Sequence, residues 1–567
     1  MKKFVIYLLA GTMLLGTASG CSKIGGGPGQ DVDATKSQLN VGIFDAGLGT
    51  VWLDEAIKDF EAYYANTPFE DDKMGVEVIK DAKKSEFRPG NLLSTMEYYD
   101  NAMYFLDQAR YTEYVSQGLV ADITDTITEK IYDEDGNFAA DTGKSAVKSI
   151  LDTMQDEVWD TKGSVGGKYY AIPYYTSVTG MIYDADLFNE KGYYYFANGQ
   201  IGAKQADIDS GNCGTGPDGI LGTTDDGLPY TWNDFVKLMN VMVSEDIIPF
   251  TWSGATTYQR QAMYQQIWAN YEGANDYALN FSFRGTESDL GEGGTPIEIR
   301  DDNANILKNQ EGRVAGIKAC YDVIKNSKYY STNAINNQSH TEAQFEYIDS
   351  VNTNKRIAMF LEGGYWESEA RMVFDDAAIT NPEHGYGKRD FRLMAVPNFI
   401  GTNGVKDQTV KAGDKEVLLG GTDGRYDLIV CLSAKNTCEN PELQMKLAKL
   451  FLQFVQSREQ LAQFTQHTGA CFRPYEFETT PEELAQYTKF GQNIYKYIQE
   501  GAKIISANTA NAKILASQTN YQRDWFFGAR VGNDVIAGEP MGFFLKYKEK
   551  TVNDAVELMK AAVDNWS

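Results

Sequence analysis

The sequence predicts an α/β protein of two lobes. Three observations carry this. Its 567 residues exceed the roughly 250–300 that a single hydrophobic core supports. The first structured stretch runs strand, loop, helix, strand, the order that opens a parallel sheet with a covering helix. And "GGKYYAIPYYTSVTGMIYDADLF", residues 166–188, breaks one strand with Pro173 before starting another, which marks a chain crossing between units rather than a central strand.

The elements follow in order. "LNVGIF" from residue 39 alternates as a strand, "DAGLGT" is a loop, and "VWLDEAIKDFEAYYA" repeats Leu53, Ala56, Ile57, Phe60 and Tyr64 at helical spacing. "MGVEVIKD" is the second strand. "NAMYFLD" reads as a buried strand and "ARYTEYVSQG" as a helix closed by Gly118. "YDEDGNF", residues 132–138, reads as a hairpin turn.

Upstream of these elements, Lys2 and Lys3 precede an apolar run of about twelve residues, too short to span a bilayer and suited to a secretory signal. Ala18, Ser19 and Gly20 then lead into Cys21. This junction resembles the lipobox of bacterial lipoproteins, with alanine where leucine is usual three residues before the cysteine. The resemblance implies a signal peptide over residues 1–20 and diacylglycerol on the Cys21 thiol. Two acyl chains hold a protein durably on a membrane. The polar, glycine-rich residues 21–37 then form a tether, which places the protein on the outer face of the cytoplasmic membrane.

The net charge of −27 excludes nucleic acid and docking on anionic lipid as general modes. Aromatic residues make up 13% of the chain, including 35 tyrosines, so some serve surfaces where a ring and a hydroxyl are both useful. Beyond Cys21, the five cysteines Cys213, Cys320, Cys431, Cys438 and Cys471 fit no zinc spacing and are expected as free or buried thiols, with a bridge among the last three as the alternative. No H-E-x-x-H, G-x-S-x-G, P-loop or dinucleotide fingerprint occurs. A glycosidase would use two carboxylates, but no pattern here singles out such a pair.

Six segments in order resemble family-1 extracellular solute-binding proteins, the carbohydrate receptors of ABC importers, with maltose-binding protein the best-known relative. They are "QGLVADITD" with "GKYYAIPYYTSVTGMIYDADLF", "TWNDFVKLMNVMVSEDIIPFTWSG", "KRIAMFLEGGYWESE", "DFRLMAVPNF", the helix pair of residues 435–464, and "YQRDWFFGARVGNDVIAGEPMGFFLKYKEKTVNDAVELM". The resemblance implies the type II periplasmic-binding-protein-like fold: two α/β lobes joined by crossing hinge segments near residues 170–175, 395–398 and 478–483. Lobe 1 is expected over 38–173 and 396–480, lobe 2 over 174–395 and 481–567. It also implies a monomer that needs no cofactor, is no enzyme, binds an oligosaccharide between its lobes and hands it to ABC permease subunits. A peptide or other solute receptor, or a surface sensor without transport, is the alternative.

Sugars present apolar C–H faces and a belt of hydroxyls, so their pockets combine flat rings with a few carboxylates, amides or arginines. The segments matching the family's cleft offer Trp366 and Glu362, Trp525 and Phe526 with Arg523, Tyr174 and Tyr175 at the first crossing, and Trp252. Asp45 and Trp52 flank the first loop, and Tyr98, Tyr99 and Asp100 precede the third strand. Trp366 and Trp525 are the leading candidates, because both fall where the resemblance implies cleft aromatics, and packing in the core is the alternative for each aromatic. A second candidate is "ADIDSGNCGTGPDGILGTTDDGLP", residues 206–229, which sets Asp207, Asp209, Asp218, Asp225 and Asp226 among glycines. It is either a solvated loop or the wrapping of a structural Ca2+. Counted from Asp207 it departs from an EF-hand: Gly211 lacks a ligand at the fifth position, Asn212 replaces the turn glycine, and Asp218 stands for the terminal glutamate.

Overall fold

The computed structural model describes residues 32–45, 47–107, 111–154, 163–399, 411–421, 428–431, 440–469, 474–505, 509 and 511–566. The signal, Cys21 and most of the tether lie outside them, as do Cys438 and Cys471.

Two main sheets, each with its own hydrophobic cores, organise the chain. In the first, strand order is Val76–Lys83, Ser37–Phe44, Met103–Leu106, Leu428–Cys431, Ala171–Pro173. The first three are parallel, with Val41 opposite Met103, and Leu428–Cys431 enters antiparallel. Helix Val51–Tyr63 buries Trp52, Leu53, Ala56 and Phe60 on this sheet. Pro173 ends the edge strand, where its missing N–H removes no ladder bond from a central neighbour. The 132–138 stretch closes as a turn, with Asp133 N–H donating to Asn137 O at 2.8 Å and Tyr132 bridging Phe138.

The second sheet runs Ile248–Thr251, Ile357–Gly363, Val178–Asp184, Leu418–Gly421, Lys503–Ile505, with Phe391–Met394 also pairing Val178–Asp184. All seven residues of both Val178–Asp184 and Ile357–Gly363 are buried, as strands covered on two faces must be. Helix Tyr258–Glu272 packs on it, and helix Glu311–Lys325 packs on that helix from outside. Among the described residues no helix is long and apolar enough to cross a membrane. Cys213, Cys320 and Cys431 are buried free thiols, and burial pushes the Cys431 thiol up to about 12.

The chain passes between the sheets three times: between Pro173 and Val178, between Gly421 and Leu428, and between Tyr475 and Phe490. The second passage corrects the expectation at residues 395–398. There Val396 and Phe399 lie in the core of the second sheet, and Asn398 N–H donates to Tyr230 O. Phe391–Met394 adds antiparallel to Val178–Asp184, so the apolar run before Pro397 stays on its sheet.

The 206–229 insertion is folded onto the second unit. Gly216 has φ +63°, and a Cβ there would stand 2.1 Å from Asp225 O, so only glycine fits. Asp207 caps helix Gln205–Asp209, accepting Lys204 N–H at 2.9 Å, and Asp209 accepts from Gln205 Nε2 at 2.9 Å. Asp225 is enclosed, accepting from Asp218 N at 3.1 Å and Thr223 Oγ1 at 3.1 Å; Asp226 accepts from Gly222 N at 2.7 Å. No three carboxylates of the insertion reach within 4.8 Å of one another. The five aspartates are therefore not gathered as one ligand set: two serve a helix, and the others fasten turns.

Candidate functional site

The candidate site is the place where the carboxyl ends of strands from the two sheets face each other, the usual location of ligands in open α/β sheets. On the first sheet, strand Ser37–Phe44 delivers Asp45, which is exposed, and the residues 47–50 that lead into Trp52. Trp52 is 2% exposed. It meets Phe105 and Phe464 edge-on at 5.2 and 4.8 Å and stacks on Tyr174 at 6.1 Å. Tyr174 in turn meets Tyr175 at 5.0 Å. Trp52 and Tyr174 are thus the buried floor under the half-buried Tyr175 at the first passage.

On the second sheet, strand Ile357–Gly363 ends in Glu362, Gly363, Gly364 and Tyr365. Tyr365 is half-buried and packs against the core of the first sheet, so it spans the two units. Its hydroxyl donates to Tyr258 Oη at 2.6 Å and lies 3.3 Å from Glu362 Oε1. Gly363 N–H donates to Glu362 Oε1 at 2.8 Å, while Gln259 Nε2 donates to Oε2 and itself receives Ser253 N–H on Oε1. Burial, reinforced by the charge of Glu369, holds the Glu362 carboxyl well above the ordinary range. Glu369 accepts from Gln344 Nε2 at 2.6 Å and stands 3.5 Å from His340 Nε2.

Opposing elements touch here. Ser368 Oγ donates to Leu48 O at 3.4 Å, and a Cβ on Gly47 would come 2.8 Å from Glu369 Oε1. The result is a seam with tyrosine hydroxyls, one amide and two carboxyl groups at it, Glu362 enclosed and held protonated: donors and acceptors of both kinds beside flat rings.

Several expected residues lie elsewhere, and the correction is physical. Trp366 is fully buried in the second unit, ringed by Phe391 at 5.1 Å, Phe374 at 5.6 Å, Tyr347 at 5.7 Å, Phe490 at 5.9 Å and Phe360 at 6.0 Å. Trp252 packs on Phe250 and Tyr330. Trp525 donates its indole N–H to Asn280 Oδ1 at 3.1 Å and packs on Phe283, Tyr521 and Trp566, with Phe526 against Phe281. Arg523 chelates Asp524. None of these tryptophans presents a face to the seam. Tyr99 is buried beneath Lys83, 4.7 Å from its ring, Asp100 is half-buried, and Tyr98 is 60% exposed before strand Met103–Leu106.

Tyr365, Tyr258, Gln259 and Glu369 were missed. Tyr365 adjoins Trp366 in "GGYWESE", and of the two rings it is Tyr365 that lies half-buried at the seam while Trp366 is enclosed. A cavity of about 150 Å3 beside the insertion, lined by Asp218, Lys415, Tyr497 and Glu500 among others, is smaller than ordinary ligand pockets of about 300 Å3 and more.

Next to the seam, Glu367 is enclosed and accepts from Thr488 Oγ1 at 2.6 Å; burial pushes its carboxyl up to about 7 from 4.5. The folded state therefore holds this proton more tightly than the unfolded chain. The associated stability is whole below the unfolded value and is lost as pH rises from there through about 7. Glu367→Gln is expected to remove about 3 kcal/mol of the fall in stability between pH 4.5 and 8, read by urea unfolding at both ends.

With the geometry in place, the fold defines a class: an α/β protein of two sheets, each with its own core. Residues 100–462 match the model of the bacterial extracellular solute-binding protein family. The chain belongs to this family, one of binding proteins rather than enzymes. Comparison with curated protein sequences finds no match. Solved structures share the fold. Maltose-bound MalE3 of T. maritima is 14% identical, with a TM-score of 0.52 over 94% of this chain and 100% of that one. The cyclic α-maltosyl-1,6-maltose binding protein of Arthrobacter globiformis is 13% identical, at 0.51 over 94% and 99%. An ABC transporter solute-binding protein of Thermotoga lettingae, bound with α-D-tagatose, is 12% identical, at 0.51 over 94% and 100%.

Proposed function

We propose that this protein captures an oligosaccharide in the seam between its two sheets and delivers it to the permease of an ABC importer. One observation carries the reading: Tyr365 joins Tyr258 and Glu362, Gln259 holds Glu362, and Glu369 stands beside Gly47 of the first unit where the two units face each other. Rings suit the C–H faces of pyranoses, and the carboxylates and amide suit their hydroxyls. The ligands of these structural neighbours, maltose, a cyclic maltosyl-maltose and tagatose, are all saccharides. The two sheets with their cores are the two lobes, and the three passages are the hinge about which they close on ligand. Cys21 carries the lipid, and the tether presents the receptor, a monomer, at the outer face of the membrane. No cofactor enters this reading.

Thermal unfolding of the protein against a glycan panel tests it, with peptides and free amino acids as controls. A ligand that binds only the folded state raises the melting temperature by mass action. One glycan series is expected to do so with rising concentration. A shift with peptides alone would replace the oligosaccharide by a peptide.

A further inference from the structure

A second group of carboxylates lies away from the seam and from the 206–229 insertion. Glu272 ends helix Tyr258–Glu272, Asp276 sits in the first turn of helix Ala274–Ser282, and Glu287 ends strand Gly285–Glu287. Gly273, at φ +90°, turns the chain sharply between the two helices. One carboxylate oxygen from each residue lies within 4.8 Å of the other two.

The partners of these carboxylates are backbone amides and one hydroxyl. Glu272 Oε1 accepts from Gly312 N at 2.6 Å, Asp276 Oδ2 from Ser288 Oγ at 2.7 Å, and Glu287 Oε2 from Leu290 N at 2.6 Å and Asp289 N at 3.0 Å. No basic side chain is among them. The nearby buried cation, Arg313, commits its guanidinium to Leu307 O, Trp525 O and Asn280 Oδ1. Glu287 is 0% exposed, and its Oε1 is enclosed with no donor. A buried acceptor without a donor is costly, and a third negative charge beside it more so. Burial and the neighbouring carboxylates push Glu272 up to about 7 and Glu287 upward as well.

We propose that Glu272, Asp276 and Glu287 bind a hard divalent cation, Ca2+ in preference to Mg2+. All three ligands are carboxylates, with no imidazole or thiolate, which selects Ca2+ or Mg2+ over zinc or copper. Ca2+ takes six to eight oxygens in irregular geometry, whereas Mg2+ demands a near-ideal octahedron, so an irregular set of three carboxylates from three elements suits Ca2+ better. Solvent oxygens complete the shell. Bound there, the ion ties the elbow at Gly273 to the hairpin of Gly285–Glu287 with Ile297–Ile299 and, through Gly312, to the start of helix Glu311–Lys325. Its role is to fasten the second unit, independent of which solute occupies the seam.

The test is calorimetric titration of the purified, EDTA-stripped full chain with CaCl2, with MgCl2 in parallel and melting temperature read in both states. One saturable Ca2+ site is expected, with a melting temperature that rises on binding. Glu287→Gln should weaken Ca2+ binding roughly tenfold or more, and in EDTA it should melt no lower than the parent because it relieves a like charge. Glu272→Gln provides the same comparison at a second position. Asp225→Asn in the insertion should leave the binding unchanged. Absence of any heat or melting shift at millimolar Ca2+ overturns the proposal. So does binding that survives both glutamine variants, or that is lost in Asp225→Asn alone.

Discussion

Trp366→Ala is expected to destabilise the protein by about 3–5 kcal/mol, the range for truncating a large aromatic in a closed core. The indole is fully buried, and five aromatic rings lie within about 6 Å of it. They come from strand Ile357–Gly363, helix His340–Asp349, helix Arg371–Thr380, strand Phe391–Met394 and helix Lys489–Gln499. No single neighbour can relax into the space, since each is held by a different element. Equilibrium unfolding in urea measures the loss. Affinity of the remaining folded fraction for its solute should change little, because Trp366 is enclosed away from the seam. A loss below about 1 kcal/mol together with lost binding would return Trp366 to the ligand surface.

Tyr365→Ala is expected to do the opposite. Its ring spans the two units and its hydroxyl links Tyr258 to Glu362. Removing it should weaken glycan binding by about 2–4 kcal/mol, as for a central aromatic anchor. Stability should fall by less than in Trp366→Ala, since the ring is only half-buried. Tyr365→Phe keeps the ring and drops the hydroxyl, so about 1 kcal/mol of affinity should go. Titration calorimetry of the three proteins separates ring from hydroxyl. Equal affinity for all three would remove Tyr365 from the site.

The pair Tyr365 and Trp366 also shows how far the sequence could be read. The segment "KRIAMFLEGGYWESE" was legible as a cleft edge through the family resemblance, and the five apolar residues Ile357 to Leu361 suit a strand buried on both faces. Which of two adjacent rings faces the ligand was not legible. That is settled by Phe490, more than a hundred residues on, which closes the core over Trp366. Strand Ser37–Phe44, helix Val51–Tyr63 and the edge position of Pro173 follow from local period and proline chemistry, and all lie where that chemistry puts them. The second passage between sheets did not follow, since antiparallel pairing of Phe391–Met394 with Val178–Asp184 is a long-range choice. In the insertion, Asp207 accepts Lys204 N–H at the start of its own helix, a use that no sequence pattern announces because lysine offers no acceptor for a capping box.

Hydrogen exchange of the full chain, with and without the glycan that stabilises it, tests the central claim most directly. Protection gained on binding is expected in residues 47–50, 174–175, 258–259 and 362–369, where the two sheets face each other, with residues 521–527 unchanged. Protection confined to residues 521–527 and absent from the seam would contradict the account and move the ligand to the Trp525 region.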